Sequence, residues 1–176
     1  MLPQVELFIE YCCQGFLSEI PTDEDIPVLP ISEQTWETWF SKWLEILTAE
    51  LPPALSYEIG LRLTDDDQIQ ELNAQYRQQN KPTDVLAFAA LETDFPYFEE
   101  ISRSQPLYLG DIIVSIDTAQ RQAQHQQHSL ITELAWLTSH GLLHLLGWDH
   151  PDEKSLLRML EKQVTLLESI GIIIDA

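Results

Sequence analysis

Three histidines, His140, His144 and His150, stand within the run His140-Gly-Leu-Leu-His144-Leu-Leu-Gly147-Trp-Asp-His150. His140 and His144 are four residues apart, so on a helix both imidazoles leave the same face, one turn above the other. Gly147 follows where a helix can end in a left-handed conformation that costs glycine little. The chain can then turn back and bring His150 to the same point. Three neutral imidazoles and a water make the tetrahedral set of a catalytic zinc, with Zn–N distances of about 2.0–2.1 Å. A lone histidine on an apolar helix is ordinarily a core residue. Three in this register, with a glycine at the bend, predict one Zn2+ per chain held by His140, His144 and His150.

The spacing H-x3-H-x2-G-x2-H is similar to that of the metzincin proteases, which carry Glu directly after the first His as the base for peptide hydrolysis. Here that position is Gly141. The ligands are present and the protease base is missing, so a metzincin-like metalloprotease is the weaker of the enzymatic alternatives.

The metal-binding helix is expected to start after a Ser129 cap, with Leu130, Leu134 and Leu137 on its buried side. Upstream, Val5, Leu7 and Ile9 alternate as a strand. Residues 14–32 read as an irregular acidic loop. Ser32 caps a helix over about residues 33–50, whose Trp36, Trp39, Phe40, Trp43 and Leu44 form a core stripe. Tyr57, Ile59, Leu61 and Leu63 alternate as a second strand. A helix from Thr64-Asp-Asp-Asp67 to about Gln79 carries Ile69, Leu72 and Tyr76 on one side, with acids where the helix dipole favours them. Val85–Phe88 reads as a short buried strand, 91–106 as an acidic, aromatic loop, and Gly110–Ser115 as a strand after a glycine turn. A polar helix opens at Asp117. A last helix starts at Pro151, carries Leu157, Leu160, Val164 and Leu167 as its stripe, and ends at Gly171. The mixed order predicts an α+β fold: a small mixed sheet of about four strands backed by helices, with the metal-binding helix and return turn in the C-terminal part.

The 176 residues suit a single domain, 1–176, with an acidic N-terminal part over 1–55. The composition, 44% apolar and 22% charged, is that of a globular protein able to bury a core without staples. No apolar run approaches the ~18 residues of a membrane span. The first basic residue is Lys42, so no secretory n-region is expected. The only cysteines, Cys12 and Cys13, are adjacent, which suits reduced thiols and a cytoplasmic protein. Nine basic residues against 29 acidic ones give a net charge of −20. General attraction to a polyanion is excluded, and DNA is not an expected partner. A polyanion must meet a local positive site: the metal, plus some of Arg77, Lys81, Arg103 and Arg121.

Three blocks in order resemble the YbeY family of bacterial single-strand endoribonucleases. The family motif H-G-x-L-H-L-x-G-Y-D-H is matched by His140–His150, with Trp148 where the family has Tyr. N-x-x-Y-R followed by P-T-[DN]-V-L-[SA]-F is matched by Asn73–Arg77 and Pro82–Phe88, and G-D-I by Gly110–Ile112. The resemblance covers roughly residues 57–171, implies a metallohydrolase core over 56–171, and leaves the N-terminal part unexplained. It implies a zinc-dependent endoribonuclease acting on single-stranded RNA in 16S ribosomal RNA 3′-end maturation and ribosome quality control, with the ribosome or ribosomal proteins as partners.

It also implies a catalytic role for Arg77, which sits in the Tyr-Arg pair of the second block. Phosphodiester cleavage builds charge on the non-bridging oxygens, and a guanidinium presents a planar fork suited to them. Two routes stay open: water activated at the metal attacks phosphorus, or the ribose 2′-OH attacks while the metal polarises a phosphoryl oxygen. Lys81 is an assisting charge or an ordinary surface lysine. Asp149 is either a partner of a ligand histidine or the cap of the following helix. Asp84 and Asp111, near strand ends, are either partners of the ligand histidines or, the preferred reading, turn residues; His125 and His128 read as exposed histidines, and the Trp148 ring as packing beside the site. The non-enzymatic alternative is a zinc-bound ribosome assembly factor whose acidic surface meets a basic ribosomal protein.

Overall fold

Alternating apolar side chains build a four-stranded sheet in the order β1-β2-β4-β3. The computed structural model describes residues 3–12, 31–90 and 105–174. The strands are β1 (Val5–Cys12), β2 (Ser56–Thr64), β3 (Val85–Ala89) and β4 (Pro106–Ser115). β1 and β4 both run parallel to the central β2, and β3 closes one edge antiparallel to β4. The helices are α1 (Glu33–Ile46), α2 (Asp66–Arg77), α3 (Ile116–Gln126), α4 (Leu130–Leu145) and α5 (Glu153–Ser169), with a short 3-10 turn at Thr48–Glu50. This is the expected α+β arrangement of a small mixed sheet backed by helices.

One face of the sheet carries the main core. Ile59, Leu61, Leu63, Ile112 and Val114 meet Trp36, Phe40, Trp43 and Leu44 of α1, Leu134, Leu142 and Leu143 of α4, and Met159, Leu166 and Leu167 of α5. The α1 stripe is fully buried from Trp36 to Leu44 except for a sliver of Trp39. Its rings meet edge-on or tilted at centroid distances of 5.1–6.3 Å, contacts worth about 0.5–1.5 kcal/mol each beyond their area. The Trp43 indole donates to the Leu166 carbonyl at 2.9 Å, which ties α1 to α5. α2 covers part of the other face, where Ile69 packs on Leu86 and Ile113.

Several local expectations are corrected. The helix after Ser32 stops at Ile46 and the chain continues as the 3-10 turn at Thr48–Glu50, beyond which prolines 52 and 53 admit no further helix. α2 is capped by Asp65, whose carboxylate accepts from Gln68 N at 2.9 Å, and Tyr76 is 54% exposed with its ring edge-on to Phe88. β4 starts at Pro106, four residues before the glycine. Ser115, not Asp117, caps α3. The helix after His150 starts at Glu153, because Asp152 and Ser155 form a capping box there. Its buried residues are Met159, Gln163, Leu166 and Leu167, while Leu157 is 60% exposed. The loop at 14–30 and most of that at 91–106 lie outside the described residues, as does Cys13.

Candidate metal centre and its cleft

α4 is apolar on nearly every side and is buried accordingly. Ser129 caps it through a 3.1 Å bond from Thr132 N. Its other end closes by a paired turn: Trp148 N donates to Leu143 O and Gly147 N to His144 O, both at 3.0 Å. This is the Schellman arrangement, and Gly147 takes the positive φ of 93° that it requires. The turn reverses the chain and brings His150 back over His140 and His144.

One ligand nitrogen from each histidine lies within 4.8 Å of the others. His140 Nε2 and His144 Nε2 are 3.0 Å apart, close to the ~3.3 Å separating two nitrogens that share a tetrahedral zinc. Ring centroids lie 4.5–5.6 Å apart. Burial pushes His140 below the ordinary imidazole value and His150 adds to this, against opposing contributions from Gln163 and Asp84. Burial also lowers His144, with His140 the next cause. Both rings are therefore neutral at pH 7 and keep the lone pairs a cation needs. The three histidines are positioned to bind one metal ion, and their chemistry fits it. His150 is exposed, so the centre opens to solvent on that side.

The cleft beside His144 has a volume of about 450 Å³ and is lined also by Arg77, Ala87, Gly147, Trp148 and Asp149. Arg77 is the last residue of α2, where a cation is favoured by the helix dipole. It donates to the Ala87 carbonyl at 2.8 Å, and its guanidinium lies 5.1 Å from the Phe88 ring centroid. The side chain is thus laid across β3, and its remaining donors have no hydrogen-bond partner among the described residues.

The other candidates separate. Arg121 is bound to Asp66 at 2.7 Å, Lys81 is exposed and does not line the cleft, and Arg103 lies outside the described residues. Asp149 accepts its neighbour's backbone, His150 N, at 2.8 Å; the cap of α5 is Asp152. Asp84 lies in the bend before β3, accepting from Val85 N at 2.7 Å and Gln122 Nε2 at 3.2 Å, and its charge opposes the lowering of the His140 pKa. Asp111 lies within β4, opposite Phe88 and Gly60. It is not in a turn, because β4 begins upstream of the glycine. His125 is exposed, whereas His128 is partly buried against Glu133 at 2.5 Å. Both line a different hollow, of about 850 Å³.

Gly141 settles the protease comparison. A Cβ on this residue would lie 2.7 Å from Ile112 Cγ2. The position faces the sheet, so a side chain there would be driven into β4 rather than towards the metal. Gln163 was not legible as a site residue: it is fully buried and 3.1 Å from His140 Nδ1. The available signal was an amide set among apolar residues in the last helix.

Comparisons with known proteins agree with this geometry. A sequence model of the family described as Endoribonuclease YbeY matches residues 22–171. A protein of that name from Nostoc sp. (strain PCC 7120) is 64% identical over 99% of this chain and 94% of its own length. One from Trichormus variabilis is 63% identical over 98% of this chain and 97% of its own. The solution structure of TM1509 from Thermotoga maritima superposes with a TM-score of 0.53 at 27% identity, covering 94% of this chain and 89% of that one. The motif resemblance, the histidine cluster and these relatives converge: the chain belongs to the YbeY endoribonuclease family.

Proposed function

We propose that this protein is a zinc-dependent, single-strand-specific endoribonuclease of the cytoplasm, acting in 16S ribosomal RNA 3′-end maturation and ribosome quality control. The observation that carries the chemistry is that His144, one member of the three-histidine cluster, lines the same cleft as Arg77. His140, His144 and His150 would hold the ion. When bound, zinc supplies Lewis acidity towards a phosphodiester and lowers the pKa of water to ~7.

Arg77 binds the scissile phosphate and stabilises the charge that grows on its non-bridging oxygens. Its bond to Ala87 O holds the guanidinium plane, so its free N–H groups meet two phosphate oxygens without first being ordered. Trp148 offers an aromatic wall for a base of an unpaired strand, which duplex stacking would withhold. Binding is focused rather than global, since the chain carries −20 overall.

The same charge favours a basic ribosomal protein as a second contact, so a ribosome-bound role accompanies cleavage. The described residues contain no helix long and apolar enough to cross a membrane. The test is cleavage of a labelled single-stranded RNA by the wild type beside an identically purified His144→Ala variant. Cleavage by the wild type alone supports the proposal. Equal cleavage by both, or by neither with zinc bound, leaves the non-catalytic assembly factor.

A further inference from the structure

We propose that Gln163 is a positioning residue that locks His140 in the Nδ1–H tautomer and so reserves its Nε2 lone pair for the metal. The proposal rests on the metal assignment above. Gln163 is fully buried on α5, with Met159, Leu166 and Leu167 as the other buried residues of that helix. A buried amide without partners is costly, and this one has two. Its Nε2 donates to the Trp136 carbonyl at 3.2 Å, and its Oε1 lies 3.1 Å from His140 Nδ1.

The orientation of the amide follows from the first bond. A backbone carbonyl only accepts, so the group facing Trp136 O must be the NH2; a flipped amide would set two oxygens against each other at that distance. Oε1 is then committed to His140, and an oxygen that only accepts requires a hydrogen on Nδ1. A neutral imidazole has one N–H. His140 Nε2 is therefore bare, and it is this atom that lies 3.0 Å from His144 Nε2.

Trp136 and His140 are one turn apart on α4, so a single amide on α5 spans that turn and takes its own orientation from one residue and gives the other its tautomer. An amide achieves this without burying a further charge, which a carboxylate in the same place would do. Ligand histidines commonly take their tautomer from such a partner, and its loss costs 10–100-fold in metal affinity.

The test uses the full chain labelled with 15N-histidine. Long-range 1H–15N correlation of the metal-free wild type, at a pH where the ring is neutral, should show His140 protonated at Nδ1. Gln163→Met, which keeps bulk and removes the acceptor, should shift His140 towards the Nε2–H form. Competition with a chromophoric chelator, using zinc alone, should show that variant binding 10–100-fold more weakly. Gln163→Glu keeps an acceptor for Nδ1–H but sets its second oxygen against the Trp136 carbonyl; protonated on that oxygen it restores both bonds, and in that form it should stay within about threefold of the wild type. An Nε2–H His140 in the wild type would overturn the proposal. So would unchanged zinc affinity in a folded Gln163→Met variant. Should that variant not fold, the wild-type tautomer and the affinity of Gln163→Glu decide. A wild type that is Nδ1–H but binds no zinc would refute the metal assignment and leave the tautomer lock standing.

Discussion

Trp148 donates its indole N–H to Glu50 Oε1 at 2.8 Å, joining the turn that precedes His150 to the 3-10 turn after α1. The polar atom of the ring is spent on an anchor, and the ring itself lines the cleft. The tryptophan that stands where the family motif has tyrosine ties the turn through its indole N–H. Trp148→Phe should cost about 0.5–1.5 kcal/mol of stability, the net value of one hydrogen bond, while cleavage falls no more than a few-fold. Thermal melts and initial rates check both; a rate loss of a thousandfold would mean that the indole takes part in the chemistry.

Metal removal should separate activity from folding. The three ligands come from one helix and its return turn, and the core beneath is apolar and complete without them. EDTA is expected to abolish cleavage and to lower the melting temperature only modestly, whereas a structural ion would contribute to folding outright. Calorimetry with and without chelator gives the answer, and outright unfolding would contradict it.

Arg77→Ala should reduce kcat by about 10²–10³, the usual scale for removing one donor that stabilises developing charge. Arg77→Lys should recover little, because an ammonium cannot both hold Ala87 O and fork onto a phosphate. Zinc content should be unchanged in both variants. Single-turnover cleavage alongside metal analysis would reveal a merely structural role as a loss of melting temperature with kcat preserved.

Gly141→Ala should destabilise by about 1–2 kcal/mol. Overpacking against a β-branched neighbour costs about 1–3 kcal/mol, and the gain in helix propensity, at most ~1 kcal/mol, offsets part of it. The clash is with Ile112 Cγ2, so Ile112→Ala should be less harmful in the Gly141→Ala background than alone. A double-mutant cycle measured by denaturant unfolding tests this coupling.

Asp66 provides an acid-sensitive tie. Burial raises its pKa, but hydrogen bonds from Thr118, Ser115 and Arg121, with the charge of Arg121, outweigh that and hold it below the ordinary carboxylate value. Both hydroxyls reach Oδ1, Ser115 at 2.7 Å and Thr118 at 2.6 Å, and Arg121 reaches Oδ2 at 2.7 Å. A folded pKa lower than the unfolded one adds stability that is complete above about pH 4 and is lost as pH falls through the folded value. The wild type should lose melting temperature below about pH 4 more steeply than Asp66→Asn, which has no such charge to protonate. Parallel slopes would remove Asp66 from the account.

Much of this architecture is legible in the chain because its signals are local. Period-two runs mark β1 and β2, the tryptophan stripe marks α1, and Ser129 and Gly147 bracket α4 where they were expected to. The histidine triad shares that locality, since helix periodicity and one glycine turn determine its geometry. What escapes is non-local. Leu157 and Met159 differ by two positions on the same helix, and only the place where α5 meets α1 and α4 decides which of them is buried. Gln163 escapes for the same reason: its partners belong to another helix. Arg77 needed the family motif, because nothing near it in sequence shows that β3 will carry it to His144.

That division has a kinetic meaning. The three histidines belong to one contiguous helix and turn, whereas the Arg77 side chain is anchored on β3, which among the described residues is an edge strand paired only with β4. Edge strands open by local unfolding at a fraction of the global cost. A brief fraying of β3 would release the Arg77 side chain from Ala87 O while the histidine triad stayed whole, so the guanidinium would lose its aim without any change at the three rings. Amide exchange at Val85–Ala89 would thus report how often the enzyme is armed.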